Sequence, residues 1–277
     1  NHRSGWSGLQ FFRLQGEFLM HQRAGFTLIE LLMVIVLLGI VATVSVRFVS
    51  LSTQGALDVS ARQLRAFQGV VVSEQITREL REAFALSVRT SGDCIEWLPL
   101  EAGTNYVRLT RGPAFDQIDV AAFANLPSVG TTRAVVYGYG TTTADLYNGT
   151  NPGPVSPLIS SIDNTGSPAS IELSSGHRFT STSPARRLFV VGQPVSLCRS
   201  GRFLYRYNDY SPSSTQPSPP TGDREVLAAN LAGNVDFRYL PATLQRAAVV
   251  QFAFTLTSED GSEATTVSQE VQIRNVP

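Results

Sequence analysis

The sequence predicts an α+β fold in which one long N-terminal helix packs on an antiparallel β-sheet domain. Three observations carry this reading. Residues 26–46 form an apolar run with a single charge, Glu30. Apolar residues then recur at helical spacing from Leu57 to Ala83, and no proline falls between Arg47 and Thr90. From residue 91 onward the chain is rich in Val, Thr, Tyr and Phe, broken by clusters of Gly, Pro, Ser and Asn, the pattern of short strands joined by turns.

The apolar run comes first. Residues 26–46, FTLIELLMVIVLLGIVATVSV, make a helix of roughly 30 Å, the thickness of a bilayer's hydrocarbon core. A removable secretory signal has a shorter apolar core, followed by a small-residue cleavage site that is not evident here. An ordinary anchor leaves the carboxylate of Glu30 unexplained. A charge inside a membrane costs about 2.5–3.5 kcal/mol on insertion scales, so it points to a function.

The amphipathic half comes second. Leu57, Ala61, Leu64, Phe67, Val71, Ile76, Leu80 and Ala83 mark the expected packing stripe, and Arg62, Arg65, Glu74, Arg78 and Glu82 fill other positions. The helix is expected to end near Thr90, with a break near residues 50–55, and Ser91-Gly92-Asp93 supplies turn chemistry. Strands are then expected near residues 94–98, 105–110, 117–122, 133–138, 169–173, 187–191, 194–198, 202–207, 235–239, 247–257 and 264–274. Glu259-Asp260-Gly261-Ser262 reads as the hairpin turn between the last two. Residues 139–168 and 208–223 read as loops, the second as a mobile Ser/Pro-rich surface loop.

Composition narrows the chemistry. The chain has 277 residues, 43% of them hydrophobic, which suffices for a packed core. Its formal net charge is zero, so no electrostatic footprint for nucleic acid exists. All 22 basic residues are Arg, which excludes a Schiff-base lysine or a P-loop amine. Of the three histidines, His2 and His21 precede the apolar run and His177 sits in a loop-like context, so neither a Ser/His/Asp triad nor a zinc site is expected. Asp93 and Glu96 flank a turn and read as capping, solvated carboxylates. Asp209 and Asp223 bracket the Ser/Pro-rich loop and offer oxygens to Ca²⁺, without EF-hand spacing. Asn148-Gly149-Thr150 matches a glycosylation sequon. No cofactor, metal or catalytic residue is expected, and no enzyme activity.

Met20-His21-Gln22-Arg23-Ala24-Gly25 is a short, basic leader, followed by Phe26-Thr27-Leu28-Ile29-Glu30. The string GFTLIE resembles the processing site of type IV prepilins and type II secretion pseudopilins. The resemblance implies that prepilin peptidase cuts between Gly25 and Phe26 and methylates the new amine of Phe26. Residues 1–25 would then be a leader lost on maturation, with 1–19 an upstream stretch from a mis-assigned start. Residues 26–47 would be the retained transmembrane helix, 48–90 its periplasmic half and 91–277 the globular domain. Arg23 and His21 keep the leader cytoplasmic and place the C-terminal bulk in the periplasm. Glu30 would set the assembly register by pairing with the Phe26 ammonium of a neighbouring subunit, since a matched pair is tolerated where a lone charge is not. The implied partners are prepilin peptidase, other major and minor pilins, the inner-membrane assembly platform and the lipid bilayer.

A periplasmic location makes a disulfide between Cys94 and Cys198 the expected state, tying the helix end to the sheet. The C-terminal half adds a narrower likeness. Pro194-Val195-Ser196-Leu197-Cys198, Leu204-Tyr205-Arg206-Tyr207, Val226-Leu227-Ala228-Ala229-Asn230, Val235-Asp236-Phe237-Arg238-Tyr239 and the ending Val271-Gln272-Ile273-Arg274-Asn275-Val276-Pro277 are similar to the J-type pseudopilins and to the MshO group of the mannose-sensitive haemagglutinin pilus. This implies a minor pilin that assembles into or primes a pilus. The rivals are a minor pseudopilin of a secretion system, an adhesin or ligand-binding module using the two loops, and a membrane-anchored periplasmic enzyme.

Overall fold

The computed structural model describes residues 25–109, 112–243 and 246–273. The leader residues Met20, His21 and Arg23, and the ending Arg274-Asn275-Val276-Pro277, lie outside them. The chain divides into two units, Asn1–Asp58 and Val59–Pro277.

Helix α1 (Leu28–Arg81) begins in the first unit and runs into the second without the break expected near residues 50–55. An exposed glycine such as Gly55 costs a helix only about 1 kcal/mol, and the chain offers no proline to stop it. In the first unit every described side chain is exposed, Leu28, Ile29, Leu37 and Val46 included. The apolar part of α1 is long and apolar enough to cross a membrane, with none of that stretch buried inside the protein. Thr43 turns its hydroxyl back to the carbonyls of Gly39 (2.6 Å) and Ile40 (3.0 Å), so its polar group needs no water.

Among its described residues, the second unit holds α1's remaining turns and fourteen strands. These are β1 (Arg89–Ser91), β2 (Cys94–Trp97), β3 (Leu100–Arg108), β4 (Phe115–Val120), β5 (Arg133–Val135), β6 (Val155–Asp163) and β7 (Ala169–His177). They continue as β8 (Arg187–Val191), β9 (Val195–Ser200), β10 (Phe203–Asn208), β11 (Asp223–Ala229), β12 (Leu231–Leu240), β13 (Ala248–Thr257) and β14 (Ala264–Ile273). They form three sheets: a five-stranded sheet in the order β1-β2-β9-β10-β11, a three-stranded sheet β12-β13-β14, and a closed barrel β3-β4-β7-β6-β5-β8. Every named strand pair is antiparallel.

The two open sheets share one core with the helix. Val72, Ile76 and Leu80 of α1 pack with Ile95, Trp97 and Leu197 of the five-stranded sheet and Phe237, Val250 and Phe252 of the three-stranded one. The buried helix face is Gly69, Val72, Ser73, Ile76, Thr77 and Leu80, a 3–4 spacing. This corrects the sequence reading. Leu57, Leu64, Phe67 and Val71 all point to solvent, Phe67 being 69% exposed. The helix carries apolar residues on two faces, and Gly69 lies on the one that docks. A methyl at position 69 would lie 2.7 Å from Val267 Cγ2 of β14, so any larger residue there forces that contact to shift.

The helix also ends earlier than expected, at Arg81. The next residues are taken up by the sheet side. Phe84 N–H donates to Leu98 O and Leu100 N–H to Glu82 O, and Ser87 Oγ accepts from Leu98 N. These partners outcompete another helical turn.

The barrel is an insertion. Strands β2 and β9 pair directly, Cys94 with Cys198 and Trp97 with Val195, and the whole barrel lies between them in sequence. Its interior is filled by Ile118, Val120, Val136, Ile159, Ile171, Leu188 and Val190. Strands β1, β6 and β11 fall outside the expected set. Strand β6 was hidden by Pro157, which the sheet accommodates beside a register irregularity between Arg133 and Val135. Residues 139–168 are therefore not one loop: they hold a 3-10 turn at Ala144–Leu146 and the nine residues of β6. The expected hairpin between β13 and β14 forms, closed by Ser258 N–H donating to Glu263 O, with Gly261 at φ 76°.

Candidate functional site

The N-terminal segment is built locally. Gly25, Phe26 and Thr27 precede the first turn of α1. Thr27 caps it: its hydroxyl accepts the N–H of Glu30 at 3.3 Å, and its carbonyl accepts from Glu30 (3.1 Å) and Leu31 (3.2 Å). Thr27-Leu28-Ile29-Glu30 therefore has the T-x-x-E form of a capping box. The carboxylate of Glu30 sits in the first turn, where the positive end of the helix dipole favours a negative charge. Phe26 is 74% exposed, and the Gly25–Phe26 bond lies outside the helix, which begins at Leu28.

Further along, Cys94 and Cys198 are disulfide-bonded across the β2–β9 pair, with Cα atoms 4.2 Å apart. The bond joins the two strands from which the barrel emerges. Tyr205, Tyr207 and Tyr210 pack around it, and Ser218 Oγ lies 3.1 Å from Cys94 Sγ.

Beside it is a buried charge network that the sequence reading missed. Glu96 is fully buried, not solvated. Its Oε2 is bonded by Arg89 Nε, and its Oε1 accepts from Tyr210 Oη at 2.8 Å. Ser196 Oγ lies 2.5 Å from the same phenol. Burial, with the Glu96 carboxylate second, pushes the Tyr210 phenol far up from its usual range. The Arg89 guanidinium stacks 3.6 Å over the Tyr147 ring and donates to Ser214 O (2.9 Å) and Ser213 O (2.7 Å). Tyr147 in turn donates to Ser87 O at 2.8 Å.

Residues 209–222 are therefore held down as a strap across the sheet. The expected mobile loop is tied at Tyr210, Ser213, Ser214 and Ser218, the last through Ser91 O at 3.1 Å. The sequence signal was the alternation of Arg89 and Glu96 around a tight turn, which places them opposite each other in register. Asp93 also differs from a simple cap, pairing with Arg199 at 3.4 Å.

His177 is 1% exposed and belongs to β7, not to a surface loop. Its Nε2 lies 3.1 Å from Gly153 O, and burial lowers its pKa below the usual 6.5. Among the described residues, no three His, Cys, Asp or Glu side chains come together as a metal site, Asp209 and Asp223 included.

Among the described residues, one exposed apolar helix, long enough to cross a membrane and with a carboxylate in its first turn, precedes the β-rich unit in the chain. The comparisons agree: residues 20–46 match the prokaryotic N-terminal methylation motif, the type IV pilin-like signal. No curated protein and no solved structure matches the chain. The motif implies processing by prepilin peptidase and assembly with other pilins.

Proposed function

We propose that this chain is a minor pilin, anchored in the inner membrane with its β-rich unit in the periplasm, that joins or primes a type IV pilus of the mannose-sensitive haemagglutinin kind. The observation that carries the reading is the junction Gly25–Phe26 set directly before a capped helix whose apolar first part is exposed and bears Glu30 in its first turn. Cleavage there leaves an ammonium on Phe26, beside a helix end whose dipole is also positive. That ammonium needs a carboxylate. In a side-by-side pair of helices, Glu30 of one subunit meets Phe26 of the next, and two charges that are costly alone become tolerable together in one axial register. A terminal or minor role is supported by the barrel. It adds bulk to the head between β2 and β9, which a repeating subunit must stack but a tip subunit need not.

The test is co-expression with a prepilin peptidase and mass spectrometry of the purified product. The expected N-terminus is methylated Phe26; retention of residues ahead of it overturns the processing. Glu30→Ala should still be cleaved and membrane-inserted but fail to enter filaments beside wild-type pilins. Incorporation at the wild-type level overturns the register role.

A further inference from the structure

A cavity of about 260 Å³ opens where the barrel meets the strap. Arg133 at the start of β5 lines it, together with Tyr147, Asn148, Ser156, His177 and Ser211. Arg133 is the one charged side chain in that lining; no Asp or Glu belongs to it. Its guanidinium has five N–H groups, and Nη1 donates to Ser156 O at 3.2 Å. Its Nε is buried with no hydrogen-bond partner among the described residues. Burial lowers the Arg133 pKa. Glu96, which lies outside that lining, is committed to Arg89 and Tyr210.

The rest of the cavity suits a polar ring with apolar edges. Asn148 accepts from Thr150 N–H and Oγ1 through its Oδ1, and its exposed side chain lines the cavity. Leu146, Val155 and Pro212 supply apolar wall. His177, kept neutral by burial, adds no second charge. A half-buried cation without an anion is a destabilising arrangement, and a carboxylate matches the guanidinium fork better than any neutral group.

We propose that this cavity binds a sugar acid of one ring, its carboxylate on Arg133 and its hydroxyls on Asn148 and Ser211. The site stands independently of the assembly reading. The test is titration calorimetry on the full chain in detergent, using galacturonate, its methyl ester, lactate and inorganic phosphate. Galacturonate is expected to bind saturably, with the ester at least tenfold weaker because it keeps the ring and loses the charge. Arg133→Gln should erase that difference while thermal unfolding shows the variant folded. Equal binding of acid and ester to the unmodified chain overturns the proposal without recourse to a variant, and so does unchanged binding by Arg133→Gln. Lactate or phosphate binding as tightly as galacturonate overturns the sugar assignment.

Discussion

Replacing Glu96 by Gln isolates what holds the strap. The new side chain keeps its shape, and its carbonyl still accepts from Tyr210. The other arm becomes an NH₂ facing the Nε–H of Arg89, so donor meets donor. Arg89 is 13% exposed at its side chain and Glu96 0%. An unpaired charge at such depth costs about 3–5 kcal/mol. For a unit of this size each kcal/mol lowers Tm by about 2–4 °C, so a fall of about 6–20 °C is expected. Differential scanning calorimetry of the full chain in detergent reads it directly. The double variant Arg89→Met with Glu96→Leu removes both charges and should cost less than Glu96→Gln alone, because no buried charge is left without a partner. It also removes the donors to Ser213 O and Ser214 O, so hydrogen exchange at residues 209–222 should rise even where Tm recovers. A Glu96→Gln variant within about 1 kcal/mol of wild type, or a double variant equal to the sum of the singles, refutes the reasoning.

Three further outcomes follow from other parts of the fold. Cys94→Ser with Cys198→Ser opens a closure spanning 104 residues, which the chain-entropy relation values at about 4.7 kcal/mol; chemical denaturation should show most of that loss, with proteolysis entering between β2 and β9. Burial depresses the His177 pKa, so its contribution to stability is complete above 6.5 and is lost as pH falls through the lower folded value. The Tm of wild type should drop more steeply than that of His177→Gln just below pH 6.5, by at most about 1.4 kcal/mol per pH unit. Gly69→Ala gains about 1 kcal/mol of helix propensity but meets Val267, at an overpacking cost of about 1–3 kcal/mol; it should destabilise, and adding Val267→Ala should relieve the clash, as measured by urea unfolding.

Much of this was legible in the chain itself because the signals are local. The GFTLIE string and the 26–46 apolar run depend on neighbours a few residues apart. The α+β class followed from periodicity, and the hairpin of β13 and β14 from Glu259-Asp260-Gly261-Ser262 and two well-alternating strands. Composition also removed nucleic-acid binding and lysine chemistry from consideration, since neither depends on geometry.

Burial and closure were decided only in three dimensions. Phe67 and Val72 are both apolar, and only the packing of α1 on the sheets, with its close approach at Gly69, places Val72 in the core and leaves Phe67 outside. Glu96 and His177 read as surface groups because their partners, Tyr210 and Gly153, are distant in sequence. The barrel closes through β3 pairing with β8, segments some ninety residues apart, a contact that leaves no local trace. The helix and its processing signal were written residue by residue; the cavity at Arg133 exists only because the barrel and the strap meet around it.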